Sequence, residues 1–208
     1  MHRRQFVCAG TVFLFSGLLP SVSLAVPGTG VYRGRVLAEW TGDREMKLIE
    51  PFEYVDSKSV RWPVPQGTVV DGASIPQFLW SLTGGPFEGA YRAASVVHDH
   101  YCIVRTRPHR DVHAMFWEAM LSSGVGPKRA WLMYRAVDKF GPTWPTPQVK
   151  KECEIVTEDY DFTKCTRNSL PPTRSMPKAG ASDIEAFLKT VSAEADAADI
   201  EHLRETIR

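Results

Sequence analysis

An α+β fold follows from three observations. Residues 31–70 are extended and punctuated by turn residues, residues 74–141 run in helical periods, and proline and glycine separate the segments. The first stretch predicts a small antiparallel sheet of three or four strands. The second predicts a bundle of about four helices. Beyond Gly141 comes an extension that ends in an amphipathic helix.

Val31 to Trp40 and Glu45 to Val55 are strand-like, divided by the turn signal Thr41-Gly42-Asp43-Arg44. Ser59 to Val64 and Thr68 to Val70 are shorter extended pieces. Pro63 and Pro65 there predict sheet edges, because proline cannot donate to a ladder. Ser74-Ile75-Pro76 opens a short apolar helix through Leu82, and Gly84-Gly85-Pro86 closes it. Further helices are expected from about Glu88 to Arg105, from Pro108 to Ser123, and from Pro127 to Gly141. Residues 142–181 read as a proline-rich, charged extension with a linker. Ser182-Asp183-Ile184-Glu185 has capping-box spacing, and Ile184, Phe187, Leu188, Val191 and Ala195 form one stripe of a last helix, 182–208. Its apolar face predicts packing on the domain or on a protein partner.

The N-terminus predicts export. Residues 1–25 combine Arg3 and Arg4, an apolar run from Phe6 to Leu19, and the small-residue end Ser23-Leu24-Ala25. This is the layout of a secretory signal peptide, too short for a membrane span. The arginine pair also resembles the twin-arginine signal, and both export routes stay open. A periplasmic or secreted location is the expectation, with residues 26–141 as the globular domain. Without the leader, Lys+Arg falls from 25 to 23 against 24 Asp+Glu. That balance argues against nucleic acid as the main partner. In an oxidising compartment Cys153 and Cys165 are expected to pair, leaving Cys102 as a buried free thiol.

The chemistry concentrates in residues 90–120. Four of the six histidines, His98, His100, His109 and His113, lie there beside Asp99 and Asp111. Tyr91, Ala94, Ser95, His98 and Cys102 share one helical face, so His98 is expected to be buried mid-stripe, with Asp99 on its flank and His100 turned to solvent. His109 and His113 stand one turn apart on the next helix, a spacing that can hold a metal. The expected catalytic set is His98, Asp99 and His113. The expected metal ligands are His109, His113 and Asp99, for a divalent cation such as zinc or calcium. The alternative is that these side chains are core groups satisfied by internal hydrogen bonds. Asp71-Gly72-Ala73-Ser74 reads first as turn and capping chemistry, with Asp71 as a carboxylate that could reach His98.

VDGASIPQFLW (70–80), YRAASVVHDHY (91–101), HAMFWEAM (113–120) and WLMYRAVDKFG (131–141) resemble, in order and spacing, the domain of unknown function 1353 family of bacteria and phages. The resemblance spans residues 31–141 and implies a fold unit without an activity. Family members usually carry aspartate where this chain has His113. A His-Asp pair on one helix with an acid on the next is also thematically similar to secreted phospholipases A2. That likeness implies His98 as the base that activates water, with Asp99 and a Gly84–Gly89 loop around calcium. Two functions follow as expectations. One is an exported hydrolase of the cell envelope, acting on lipid ester or peptidoglycan with a His-Asp site. The other is a non-catalytic binding or assembly module that meets a partner through residues 182–208.

Overall fold

Among the described residues, six short strands replace the longer ones expected. The run Val31–Trp40 breaks after Gly34 (φ +83°) into β1 (Val31–Arg33) and β2 (Ala38–Trp40). Glu45–Val55 breaks around Pro51 into β3 (Met46–Leu48) and β4 (Phe52–Val55). With β5 (Arg61–Val64) and β6 (Val69–Val70), they form two three-stranded antiparallel sheets, ordered β1-β4-β5 and β2-β3-β6. Each long run therefore feeds both sheets and turns a corner between them. Gly34 makes the corner possible: its φ is left-handed, and a Cβ there would stand 3.3 Å from Phe52 Cβ. The single sheet of the sequence reading is thus two, because strand propensity alone does not report a bend. Pro63 lies on β5, at the edge of its sheet as expected.

This computed structural model describes residues 28–42, 45–72, 74–80, 85, 87–145, 174–175, 177–197 and 199–207. The expected leader (1–25) and the Cys153–Cys165 pair lie outside the described residues. Among the described residues five helices follow the sheets: α1 (Arg92–Val104), α2 (His109–Ser122), α3 (Pro127–Phe140), α4 (Ala181–Ala197) and α5 (Ile200–Ile207). The apolar helix expected after Ser74 is a 3₁₀ turn, Gln77–Leu79, among the described residues. Arg105 ends α1 in a left-handed conformation (φ 52°) with its amide on the Tyr101 carbonyl. The short connection then returns the chain against α1, so that α1 and α2 pack as neighbours.

Beneath both sheets, α1 is enclosed. Val96, Val97, His98 and Asp99 are consecutive and all buried, which a one-sided amphipathic helix would not allow. The C-terminal helices dock on this core rather than standing free. Phe187 meets Phe140 at 5.2 Å and Phe78 at 6.3 Å between ring centroids, and Val191, Ala195 and Leu203 are buried with it. Arg135 pairs with Glu194 at 3.3 Å across α3 and α4. The stripe expected on the last helix lies against α3 of its own chain, so that face is not left for a partner. The cap also differs from the one read at Ser182: the Gly180 amide donates to Asp183 Oδ2 at 3.1 Å. Among the described residues no helix is long and apolar enough to cross a membrane.

Candidate functional site

The histidine pair is where periodicity put it, deep on facing helices. His98 and His113 are fully buried, and their rings meet directly: His98 Nε2 lies 2.9 Å from His113 Nδ1. The partners fix the protons. His113 Nε2 stands 3.2 Å from the Pro142 carbonyl, which can only accept, so this nitrogen carries the hydrogen. His113 Nδ1 is then the acceptor, and His98 Nε2–H donates to it. His98 Nδ1 is left as an acceptor, 3.9 Å from the Cys102 thiol one turn along. Phe116 covers the His98 ring at 4.5 Å.

Burial sets the electrostatics. His113 is pushed down to about 3, first by desolvation and then by the nearby His109, against the Pro142 hydrogen bond. Desolvation, then His113 and the Arg174 charge, hold His98 well below the ordinary histidine range. The Cys102 thiol is pushed up by burial first and by Asp99 next, so it is no thiolate nucleophile. His100, read from the sequence as exposed, is half-buried against Tyr101 and lowered to about 4 by desolvation.

Asp99 does different work. Its Oδ2 accepts the amides of Asp71 (3.0 Å) and Gly72 (3.1 Å), which ties the turn after β6 to α1. Gly72 supplies the left-handed angle (φ 68°) that brings both amides round. The Asp71 backbone amide thus joins the turn to this helix through Asp99. Asp99 Oδ1 and Ser74 Oγ are both buried, and neither finds a partner in hydrogen-bond geometry. Ser74 is nonetheless near enough to favour the ionised form. Desolvation is larger and raises the Asp99 pKa, with Asp71 adding to the rise, while Ser74 and the two amides pull it down.

The extension closes the site. Trp144 is buried with its indole edge toward His109 (5.7 Å) and His113 (6.4 Å). Its carbonyl accepts His109 Nδ1–H at 2.8 Å, and its Nε1 donates to the Arg107 carbonyl at 2.8 Å. Thr143 and Ser175 exchange backbone hydrogen bonds of 2.8 and 2.9 Å, holding the strap in place. Pro142 and Trp144 belong to the stretch expected as a proline-rich extension outside the domain. A tryptophan inside a proline run was the one signal that this stretch packs.

The expected sets assemble only in part. His98 and His113 come together, and His109 joins them through ring contacts at 5.9 Å from His113. Asp99 turns away to the Asp71–Gly72 turn. Among the described residues no group of three or more His, Cys, Asp and Glu side chains converges to hold a metal ion. The physical reason is that both His113 nitrogens are committed, one to His98 and one to Pro142. In the loop proposed around calcium, Gly84 and Pro86 lie outside the described residues, and the Gly85 carbonyl is taken by the Tyr91 hydroxyl. Two surface grooves, of about 480 and about 510 Å³, are lined by other residues than His98, Asp99 or His113.

Residues 46–137 match the model of the family described as "Protein of unknown function (DUF1353)". Two curated relatives come from Sinorhizobium fredii (strain NBRC 101917 / NGR234). "Uncharacterized protein y4jT" is 45% identical over 125 residues, covering 60% of this chain and 37% of the relative. "Uncharacterized protein y4iH" is 40% identical over 109 residues, covering 52% of this chain and 46% of the relative. The chain thus spans less than half the length of these relatives. No solved structure matches it with significance.

Proposed function

With residues 46–137 as a DUF1353 domain, we propose that this chain is a non-catalytic binding or assembly module, exported by its N-terminal leader to the periplasm or beyond. The observation that carries this reading is the closure of the histidine pair upon itself. His98 and His113 satisfy each other, lie fully buried, and finish on a backbone carbonyl. A general base must reach a substrate proton directly or through one water. These imidazoles are covered by Phe116, Trp144 and the Pro142 carbonyl instead. Mutual hydrogen bonding supports a brace that locks α1 to α2 and to the strap.

A hydrolase of lipid ester or peptidoglycan is the second reading, favoured by one observation. Asp99 Oδ1, on the residue that follows His98 in sequence, and Ser74 Oγ are buried without a hydrogen-bond partner, and an unpaired buried polar atom costs about 1–3 kcal/mol. Such atoms suit a water or a ligand group.

Purified full-length protein separates the two. Fatty-acid and muropeptide release and bound zinc and calcium are measured for wild type and His98→Gln. The module reading expects no turnover and no stoichiometric metal in either protein. Turnover by wild type that disappears in a folded His98→Gln variant overturns it in favour of the hydrolase.

A further inference from the structure

The groove of about 480 Å³ at the Gly34 corner has features of a ligand site that no residue discussed so far uses. It lies between the β1–β2 corner and the start of α1. Its volume falls within the range of small-molecule pockets, roughly 300–1,000 Å³. Val36, Phe52 and Ala93 give it an apolar wall. Arg35 and Arg92 give it two guanidinium groups, and no acidic side chain lines it.

The two cations are held differently. Arg92 donates Nε–H to the Phe87 carbonyl at 2.6 Å, which anchors the stem and directs the rest of its fork. Arg35 follows the left-handed Gly34, is exposed, and has no acidic partner among the described residues. In most surface pairs an arginine spends its charge on a neighbouring carboxylate, as Arg33 and Arg61 do on Glu53. Here the charge is left toward an apolar-walled groove. The first turn of α1 carries no acid and no capping side chain, so its field has the same sign.

We propose that this groove binds an amphiphilic anion: a phosphate or carboxylate head on a short apolar stem. The head sits between Arg35 and Arg92, and the stem lies on Val36, Phe52 and Ala93. Guanidinium forks match both head groups bidentately, and the apolar wall discriminates against a bare inorganic anion. The proposal deepens the binding-module reading and rests on it.

Four probes test it by calorimetry and amide NMR on the full chain: octyl phosphate and octanoate below their micelle concentrations, neutral octanol, and inorganic phosphate. Saturable binding of at least one amphiphilic anion is expected, with shifts at Gly34, Val36 and Ala93. Octanol, which lacks the charge, and inorganic phosphate, which lacks the stem, should each bind at least about tenfold more weakly. Arg35→Gln/Arg92→Gln, which loses two charge-assisted contacts, should weaken anion binding by more than about tenfold. The order of the two anions identifies the head group. No saturable anion binding, equal affinity for octanol, or an unchanged double variant of native fold overturns the proposal. Failure here is distinct from failure of the module reading, which turns on His98-dependent turnover and involves neither arginine.

Discussion

Two carboxylate anchors, the half-buried Glu118 on α2 and the buried Asp99 on α1, solve the same problem with different completeness. Glu118 Oε1 accepts from the Gly30 amide (2.9 Å), the Tyr54 hydroxyl (2.9 Å) and the Ser57 amide (2.7 Å), while Oε2 takes the Ser57 hydroxyl (2.9 Å). It pins the chain entering β1 and the turn after β4 to α2. Asp99 fills Oδ2 with two amides and leaves Oδ1 empty. A saturated network has no capacity beyond holding the fold together. A half-saturated one still has a lone pair to give, here at the turn after β6 rather than at the histidines. The difference teaches where to look for chemistry, and also that adjacency in sequence is a poor guide to partnership in space.

The contrast predicts unequal costs. Glu118→Ala removes four hydrogen bonds at once, while Gly30 keeps the Tyr54 hydroxyl and Tyr54 keeps Ser122 as partners, and should destabilise by about 2 kcal/mol in urea unfolding. A loss below about 1 kcal/mol would mean that water replaces the carboxylate and that the network is not an anchor.

Acid comes next. His98, His100 and His113 are held neutral in the fold, with His100 lowered to about 4 and His113 to about 3. Below pH 6.5 the unfolded chain takes up protons there that the folded chain refuses. Stability is therefore full above that pH and declines as pH falls toward the folded values, by roughly 1.4 kcal/mol per pH unit for each histidine involved. Asp99, whose folded pKa is raised, gains a proton more readily in the fold and offsets part of the loss near the bottom of this window. Chemical denaturation from pH 7.5 to 4.5 should show the decline in wild type and a shallower one in His113→Gln. Parallel profiles would remove His113 from the acid response.

Asp99→Asn should have the smallest effect, a loss of less than about 1 kcal/mol or a slight gain. The amide oxygen can keep both backbone donors, its NH₂ can face Ser74, and the cost of a buried charge disappears. A thermal-melt loss matching that of Glu118→Ala would show that the ionised carboxylate is needed and that the two anchors are alike.

Much of this was legible in the chain. The 3.6-residue period located α1, α2 and α3 within a few residues and put His98 and Cys102 in the core, because burial of a helical face depends on local spacing. The corner at Gly34 was not legible as a corner, since a glycine in an extended run reads equally as a bulge or a simple break. The partners of the histidines were less legible still. His113 ends on Pro142 and His109 on Trp144, residues about thirty positions away in a stretch whose prolines read as an extension outside the domain. Asp99 drew attention by sitting next to His98, while Glu118, with nothing notable beside it, carries the fuller network. Tertiary pairing decides both, and no local pattern encodes it.

The central claim is that the two core imidazoles are neutral, both protonated on Nε2, and bonded to each other. Nitrogen-15 NMR of the histidine rings from pH 8 to 5 tests it most directly. Nε2–H tautomers are expected for His98 and His113, with no titration of either ring over that range and slow exchange of the shared proton. A ring that titrates near pH 6.5, or exchanges freely with water, would contradict it and return the pair to solvent-reachable chemistry.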